Sequence, residues 1–311
     1  MGKSGSITVE RLLAGIQNNE CAIHIARLEA VERCNIYNQL TFERLMRKQG
    51  DIVRTLHSAA DDWNEAMLIT LLRYLGGAAN KGAMERLATL VSYRNLMREN
   101  NSVATLEAML LGCAGLLDIY SEDSYIARLR HEFNHLAAKY NLSAMLAGEW
   151  QLTGIYPSTH PTLRIAQLAA CLHDNAISMS SITECKSRGD VRRLFASRAS
   201  EYWIEHAIPN IDPTQVSRHI GSFTSDILGI NFVAQLTFAY GDYTDSNELK
   251  TRAITLLENL PAEDNRYMRI WNSQDGVARN AYESQALLQL SREYCSKRRC
   301  AECPLARQLM L

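Results

Sequence analysis

The feature that most limits how this chain can fold is a shortage of helix breakers set against near-continuous helical periodicity. Six prolines and sixteen glycines occur in 311 residues, and both types are costly inside helices. Asp62 followed by Glu65 reads as a capping box. Met67, Leu68, Leu71, Leu72 and Leu75 then form an apolar face, and Gly76-Gly77 stops it. Ser102 caps a helix carrying Leu106, Met109, Leu110 and Cys113. Ser124 opens another, with Ile126, Leu129, Phe133, Leu136 and Tyr140 on one stripe. Pro161 suits the first turn of a helix bearing Ile165, Leu168 and Leu172. Ser246 precedes Leu249, Ala253, Leu256, Leu257 and Leu260, and Pro261 ends that run. Leu287, Leu290 and Tyr294 mark the last long helix. Asp275-Gly276, lying between helical patterns, reads as an interhelical turn. No alternating strand and no internal repeat stands against this, so the class is all-α: a multi-helix globular array with no substantial sheet.

Residues 1–20 read as a helical lead-in and 21–311 as a helical domain. Its weakest stretch, LTGIYPST, places a boundary between two lobes near 152–160, and IPNIDPT at 208–214 is a second candidate. A 47% apolar composition is ample for a core. The formal net charge of −1 gives no bulk argument for a nucleic-acid or membrane partner. The N-terminus carries no long apolar stretch of the signal-peptide kind. The best membrane candidate, residues 227–240, falls short of the roughly 18 apolar residues a span needs and contains Asn231 and Gln235. Eight irregularly spaced cysteines without a secretory signal point to reduced thiols and a cytoplasmic protein.

Three motifs carry chemistry. The first is the tail, Cys295-x4-Cys300-x2-Cys303-Pro304, with Lys297, Arg298 and Arg299 inside the first gap. A C-x2-C pair lets two thiolates reach one metal. Zinc and iron–sulfur sites want four ligands, however, and the tail offers three. Three reduced thiols in a compact turn, with no cofactor, is the bland reading; a structural zinc or a degenerate iron–sulfur site is the sharp one. The second motif is His131-Glu132-Phe133-Asn134-His135, which has the H-E-x-x-H pattern of zinc proteases. There the histidines ligate the metal and the glutamate, here Glu132, is the base. On a helical wheel, His131 and His135 point roughly 130–170° from the apolar stripe, toward solvent or a second layer. The extended zincin form fails, because Ala138 and Asn141 stand where a glycine and a third histidine are needed. The third motif is basic: Arg188, Arg192, Arg193 and Arg198, then Lys297, Arg298 and Arg299, then Arg44, Arg47 and Lys48. Such groups bind nucleic acid when they converge on one face, and otherwise form solvated helix faces. Cys21, Cys34, Cys113, Cys171 and Cys185 read as buried small hydrophobes.

The tail also invites comparison with endonuclease III-type DNA glycosylases, whose C-terminal cluster loop has four cysteines, the last three spaced C-x2-C-x5-C. Cys300-x2-Cys303 matches that loop, the first gap is shorter, and Leu309 stands at the position of the fourth cysteine.

Several ordered stretches carry a wider resemblance. They include LLRYLGGAANKGAMERLA at 71–88, LEAMLLGCAGLLD at 106–118, HPTLRIAQLAACL at 160–172, SEYWIEHA at 200–207, GINFVAQLTFAYG at 229–241 and the tail at 284–310. In that order they resemble a bacterial family known as domain of unknown function 2851, common in Bacteroidetes, from about residue 20 to the end of the chain. The resemblance implies an all-helical fold and no established activity. It also implies that the cysteine tail belongs to the family pattern while the H-E-x-x-H stretch does not. Longer family members carry a further N-terminal segment, rich in His, Asp and Glu and nuclease-like, which this sequence does not show. The leading reading is therefore a non-catalytic helical interaction module, with a protein or nucleic acid as partner, accessory to a nucleic-acid-processing system and leaning away from an enzyme. The alternatives are a degenerate glycosylase-like helical protein and a zinc hydrolase on His131, Glu132 and His135.

Overall fold

Where breakers are this scarce, the backbone's donors and acceptors can be satisfied within helices almost throughout, and the structure does so. It is a computed structural model that describes residues 18–120, 122–210, 215–272 and 277–310. Among the described residues there is no strand, and extended pairing amounts to a single bridge between Pro261 and Asn280. The helices are α1 (Asn18–Arg27), α2 (Ala30–Ser58), α3 (Trp63–Leu75), α4 (Lys81–Leu90), α5 (Tyr93–Arg98), α6 (Val103–Cys113), α7 (Ser124–Tyr140) and α8 (Pro161–His173). They continue with α9 (Met179–Thr183), α10 (Arg188–Leu194), α11 (Ser222–Leu228), α12 (Ala234–Tyr243), α13 (Asn247–Asn259), α14 (Met268–Trp271), α15 (Ala281–Gln289) and α16 (Pro304–Met310). A π-turn, Gly229–Val233, joins α11 to α12, and a second, Leu290–Cys295, extends α15. None of the described helices is long and apolar enough to cross a membrane.

The chain forms two units, one from residues 51–237 and one from 1–50 with 238–311. Residues 152–160 lie inside the first of these. The stretch at 208–214 loses 211–214 to the undescribed residues, and Asp275-Gly276 is likewise outside them.

In the 51–237 unit, α6 packs on α7 and α8. From Leu106 to Cys113 every residue of α6 is buried, and so is Pro161–Leu172 of α8. Helices buried on all sides belong in the centre of a bundle. Gly112 permits the close approach of α7, since a Cβ there would lie 2.1 Å from the Phe133 ring. Gly115 turns the chain out of α6 at φ +67, with Met145 O pressed against its missing side chain and Met145 N–H bonded to Cys113 O. The caps expected at Ser102 and Pro161 are where the spacing puts them. Two differ. Asp123, one residue earlier than Ser124, caps α7 through Tyr125 N and Ile126 N. Asp62 caps α3 as expected, but the Glu65 carboxylate does not return to close the box. It accepts from Ser92 Oγ at 2.6 Å and Tyr93 N at 2.8 Å, and so caps α5.

In the other unit, α1, the first part of α2 and α14–α16 bury Ile25, Leu40, Trp271, Leu287 and Leu290 together. Polar pins cross this core. Tyr37 Oη donates to Val277 O at 2.5 Å, Trp271 Nε1 to Ser291 Oγ at 2.7 Å and Tyr294 Oη to Glu43 at 2.8 Å. Arg44, 3% exposed, donates from Nε to Gln285 Oε1 at 2.5 Å. Arg44 is thus a core residue. Arg47 reaches Gln289 and Glu293, so the two arginines of the expected third basic patch are engaged with α15 and the turn after it.

Candidate functional site

The C-terminal thiols are placed by three successive departures from α-geometry. The π-turn carries the chain to Cys295, Arg298 takes a left-handed conformation at φ 54, and a 3-10 turn brings Cys303 N to Cys300 O at 3.1 Å. Cys303 is buried at the start of α16, where the backbone N–H groups of Leu305 and Ala306 point at its sulfur. Cys295 and Cys300 are half-buried. The structure adds a residue that no local motif could reveal. Cys21, buried on α1, lies in the same core cluster as Cys303, with Cys295 and Cys300 packed against it. Burial, and then the neighbouring thiols, push Cys21 and Cys295 up to about 12. All four are free thiols. As they stand, no three His, Cys, Asp or Glu side chains among the described residues are arranged to hold a metal ion. Leu309, at the position a fourth tail cysteine would take, has a side chain outside the described set.

The basic triplet of the tail is largely neutralised by its neighbours. Lys297 bonds Glu293 at 2.5 Å, and Arg299 pairs with Glu302 and lies over the Tyr294 ring. Arg298 remains exposed at the turn. His131 and His135 are exposed on α7 with Glu132 half-buried beside them, while Phe133 turns inward onto Gly112.

The arginines of α10 make a different arrangement. Arg188 forks onto Asp226 of α11, Nε to Oδ1 at 2.8 Å and a terminal nitrogen to Oδ2 at 2.6 Å. Arg192 reaches the same carboxylate at 3.5 Å. Arg193 pairs with Asp190, whose carboxylate also accepts from Lys186 N and Ser187 N and is held below its usual range. Beyond this network, Arg192, Arg198, His219 and Ser222 line a cleft of about 260 Å³. The loop that supplies His219 and the start of α11 were not visible as a site in the sequence, because neither lies near α10 along the chain.

Three buried ionisable groups also escaped sequence reasoning. Glu107, 0% exposed within α6, accepts from Tyr125 Oη at 2.6 Å and Trp203 Nε1 at 3.0 Å. Burial pushes its carboxyl up to about 7. His160, 1% exposed, lies 2.6 Å through Nδ1 from Thr162 Oγ1, whose own proton goes to Ala207 O. Nδ1 therefore carries the imidazole proton, and Nε2 is buried without a partner. Burial lowers this histidine to about 4. Nearby in α8, Arg164 is buried against the neutral acceptors Gln167 and Thr224 and lowered to about 10.

No curated protein and no solved structure matches the chain. One family's sequence model does match, over residues 4–266, a stretch that stops short of Cys295. That stretch is most of the chain, so the protein belongs to the family described as "Protein of unknown function (DUF2851)".

Proposed function

We propose that this chain is a non-catalytic helical module whose partner is nucleic acid, serving as an accessory in a nucleic-acid-processing system. The observation that carries this reading is the cleft of Arg192, Arg198, His219 and Ser222. Two guanidiniums, Arg188 and Arg192, divide one carboxylate, Asp226. Positive charge is therefore left over at the cleft, and exposed Arg198 adds to it. A phosphate backbone is the ligand such a surface suits, because each neutralised phosphate releases condensed counterions. The non-catalytic half rests on what the buried carboxyl and the buried imidazole do. Glu107 and His160 are enclosed in the core and held by Tyr125, Trp203 and Thr162, which is packing chemistry. Eight free thiols support a reducing compartment such as the cytoplasm.

The test is anisotropy binding with single- and double-stranded DNA and RNA at about 50 and 200 mM salt. Affinity is expected to fall with salt, and Arg198→Ala to reduce the salt slope by about 1. The double variant Arg192→Glu/Arg198→Glu should remove binding. No salt-dependent binding to any of the four nucleic acids would end the nucleic-acid assignment.

A further inference from the structure

Cysteines from opposite ends of the chain meet in one place. Cys21 belongs to α1, and Cys295, Cys300 and Cys303 follow α15, yet Cys21 and Cys303 share one core cluster and Cys295 and Cys300 pack against it. The fold makes this possible because α1 packs on both α14 and α16. A small hydrophobe would explain any one buried cysteine. It does not explain two cysteines of one core cluster, Cys21 and Cys303, with two more, Cys295 and Cys300, packed against it. The tail has the C-x2-C turn of thiolate metal sites and lacks a fourth ligand of its own; Cys21, from the other end of the sequence, is a further thiol in the same cluster. Backbone N–H groups of Leu305 and Ala306 already face the Cys303 sulfur, with Arg307 near it, and these are the groups that offset the charge of a bound thiolate.

We propose that Cys21, Cys295, Cys300 and Cys303 form a four-thiolate structural zinc site that ties α1 to the C-terminal turn. Zinc suits the set because it is four-coordinate, takes thiolate readily and has no redox demand. The thiols are not in ligand positions as they stand, so the ion draws them in. Binding thus requires Cys300 to shift with the turn at 296–302, whose other residues are exposed. On binding, each thiol gives its proton to solvent and its sulfur to the ion, so uptake releases acid.

The full chain, purified under reducing conditions without oxygen from zinc-replete cells, is assayed for zinc, iron and sulfide. One zinc per chain is expected in the wild type and in Cys34→Ser, whose thiol is exposed elsewhere on α2. It should be lost in Cys21→Ser and in Cys300→Ser. Because Cys21→Ser could unfold α1, the wild type is also titrated with cobalt, which should give the ligand-field spectrum of tetrahedral four-thiolate coordination. Zinc-free wild type, zinc retained in Cys21→Ser, iron with sulfide in place of zinc, or a cobalt spectrum of fewer thiolates would each overturn the proposal.

Discussion

Glu107 sits in the middle of α6 with neighbours that accept it only because they are themselves hydrogen-bonding aromatics. A carboxylate desolvated this far is disfavoured as the anion, so the folded state holds its proton up to about pH 7, against an ordinary value of about 4.3. The raised value fixes the sign. Its contribution to stability is full below about pH 4.3 and is lost as pH rises through 7. His160 acts oppositely. Its lowered value of about 4, against about 6.5 when unfolded, makes its contribution present above pH 6.5 and lost as pH falls toward 4. The two slopes oppose each other in mildly acidic solution, so a single pH scan would hide both. Comparing wild type with Glu107→Gln removes the part they share. The stability difference between them should shift against the wild type by on the order of 2–3 kcal/mol from pH 5 to pH 8. Urea denaturation at four pH values reads it, and a pH-independent difference would show that Glu107 titrates normally. Neither residue was legible in the sequence. A glutamate at one position of an apolar helix looks like its solvent side until α7 and the Glu201–Ile204 turn are packed against it.

Among elements, the helices themselves were legible, because their apolar stripes and caps are local. What the spacing could not show is which helix a side chain serves. Glu65 has the position of a capping-box partner for α3, yet the next helix but one offers it two unsatisfied N–H groups and a hydroxyl. The π-turns were equally hidden, since one extra residue in a turn leaves composition unchanged. Gly112 is the element-scale position with the sharpest consequence. Within a helix, replacing glycine by alanine ordinarily gains about 1 kcal/mol. Here the new methyl would strike the Phe133 ring, and overpacking costs about 1–3 kcal/mol. Gly112→Ala should therefore lower the melting temperature despite the better helix propensity. Gly112→Ala/Phe133→Ala should be less destabilised than the sum of the single changes, because removing the ring removes the clash. Additive losses in a double-mutant cycle would mean that the two helices do not meet at this glycine.

At the scale of the molecule, a chain in which residues 18–50 fold with the described residues after 237 presents no boundary to a reader moving along it. Loops such as LTGIYPST are visible locally, but they lie within a unit. The pairing of α1 with α14 and α16 depends on contacts more than two hundred residues apart, as does the meeting of Cys21 with the tail. The same arrangement makes the family match instructive. It ends at residue 266, before Trp271, Leu287, Leu288, Leu290 and Tyr294, all of which are buried in the core that α1 and α2 share. Each such side chain contributes about 1.5–3 kcal/mol when buried. Their removal would cost about 7–15 kcal/mol, as much as the whole stability of an ordinary domain. A chain ended at residue 266 should consequently lose protection along residues 18–50, where Ile25, Tyr37 and Leu40 would lose their C-terminal partners, while residues 51–237 keep theirs. Limited proteolysis with mass-spectrometric mapping of the cut sites reads both halves of the outcome. Early cuts within 18–50 of the shortened chain, absent from the full one, are expected. Equal protection of that segment in both chains would mean that α1 and the start of α2 are held by something other than the C-terminal helices.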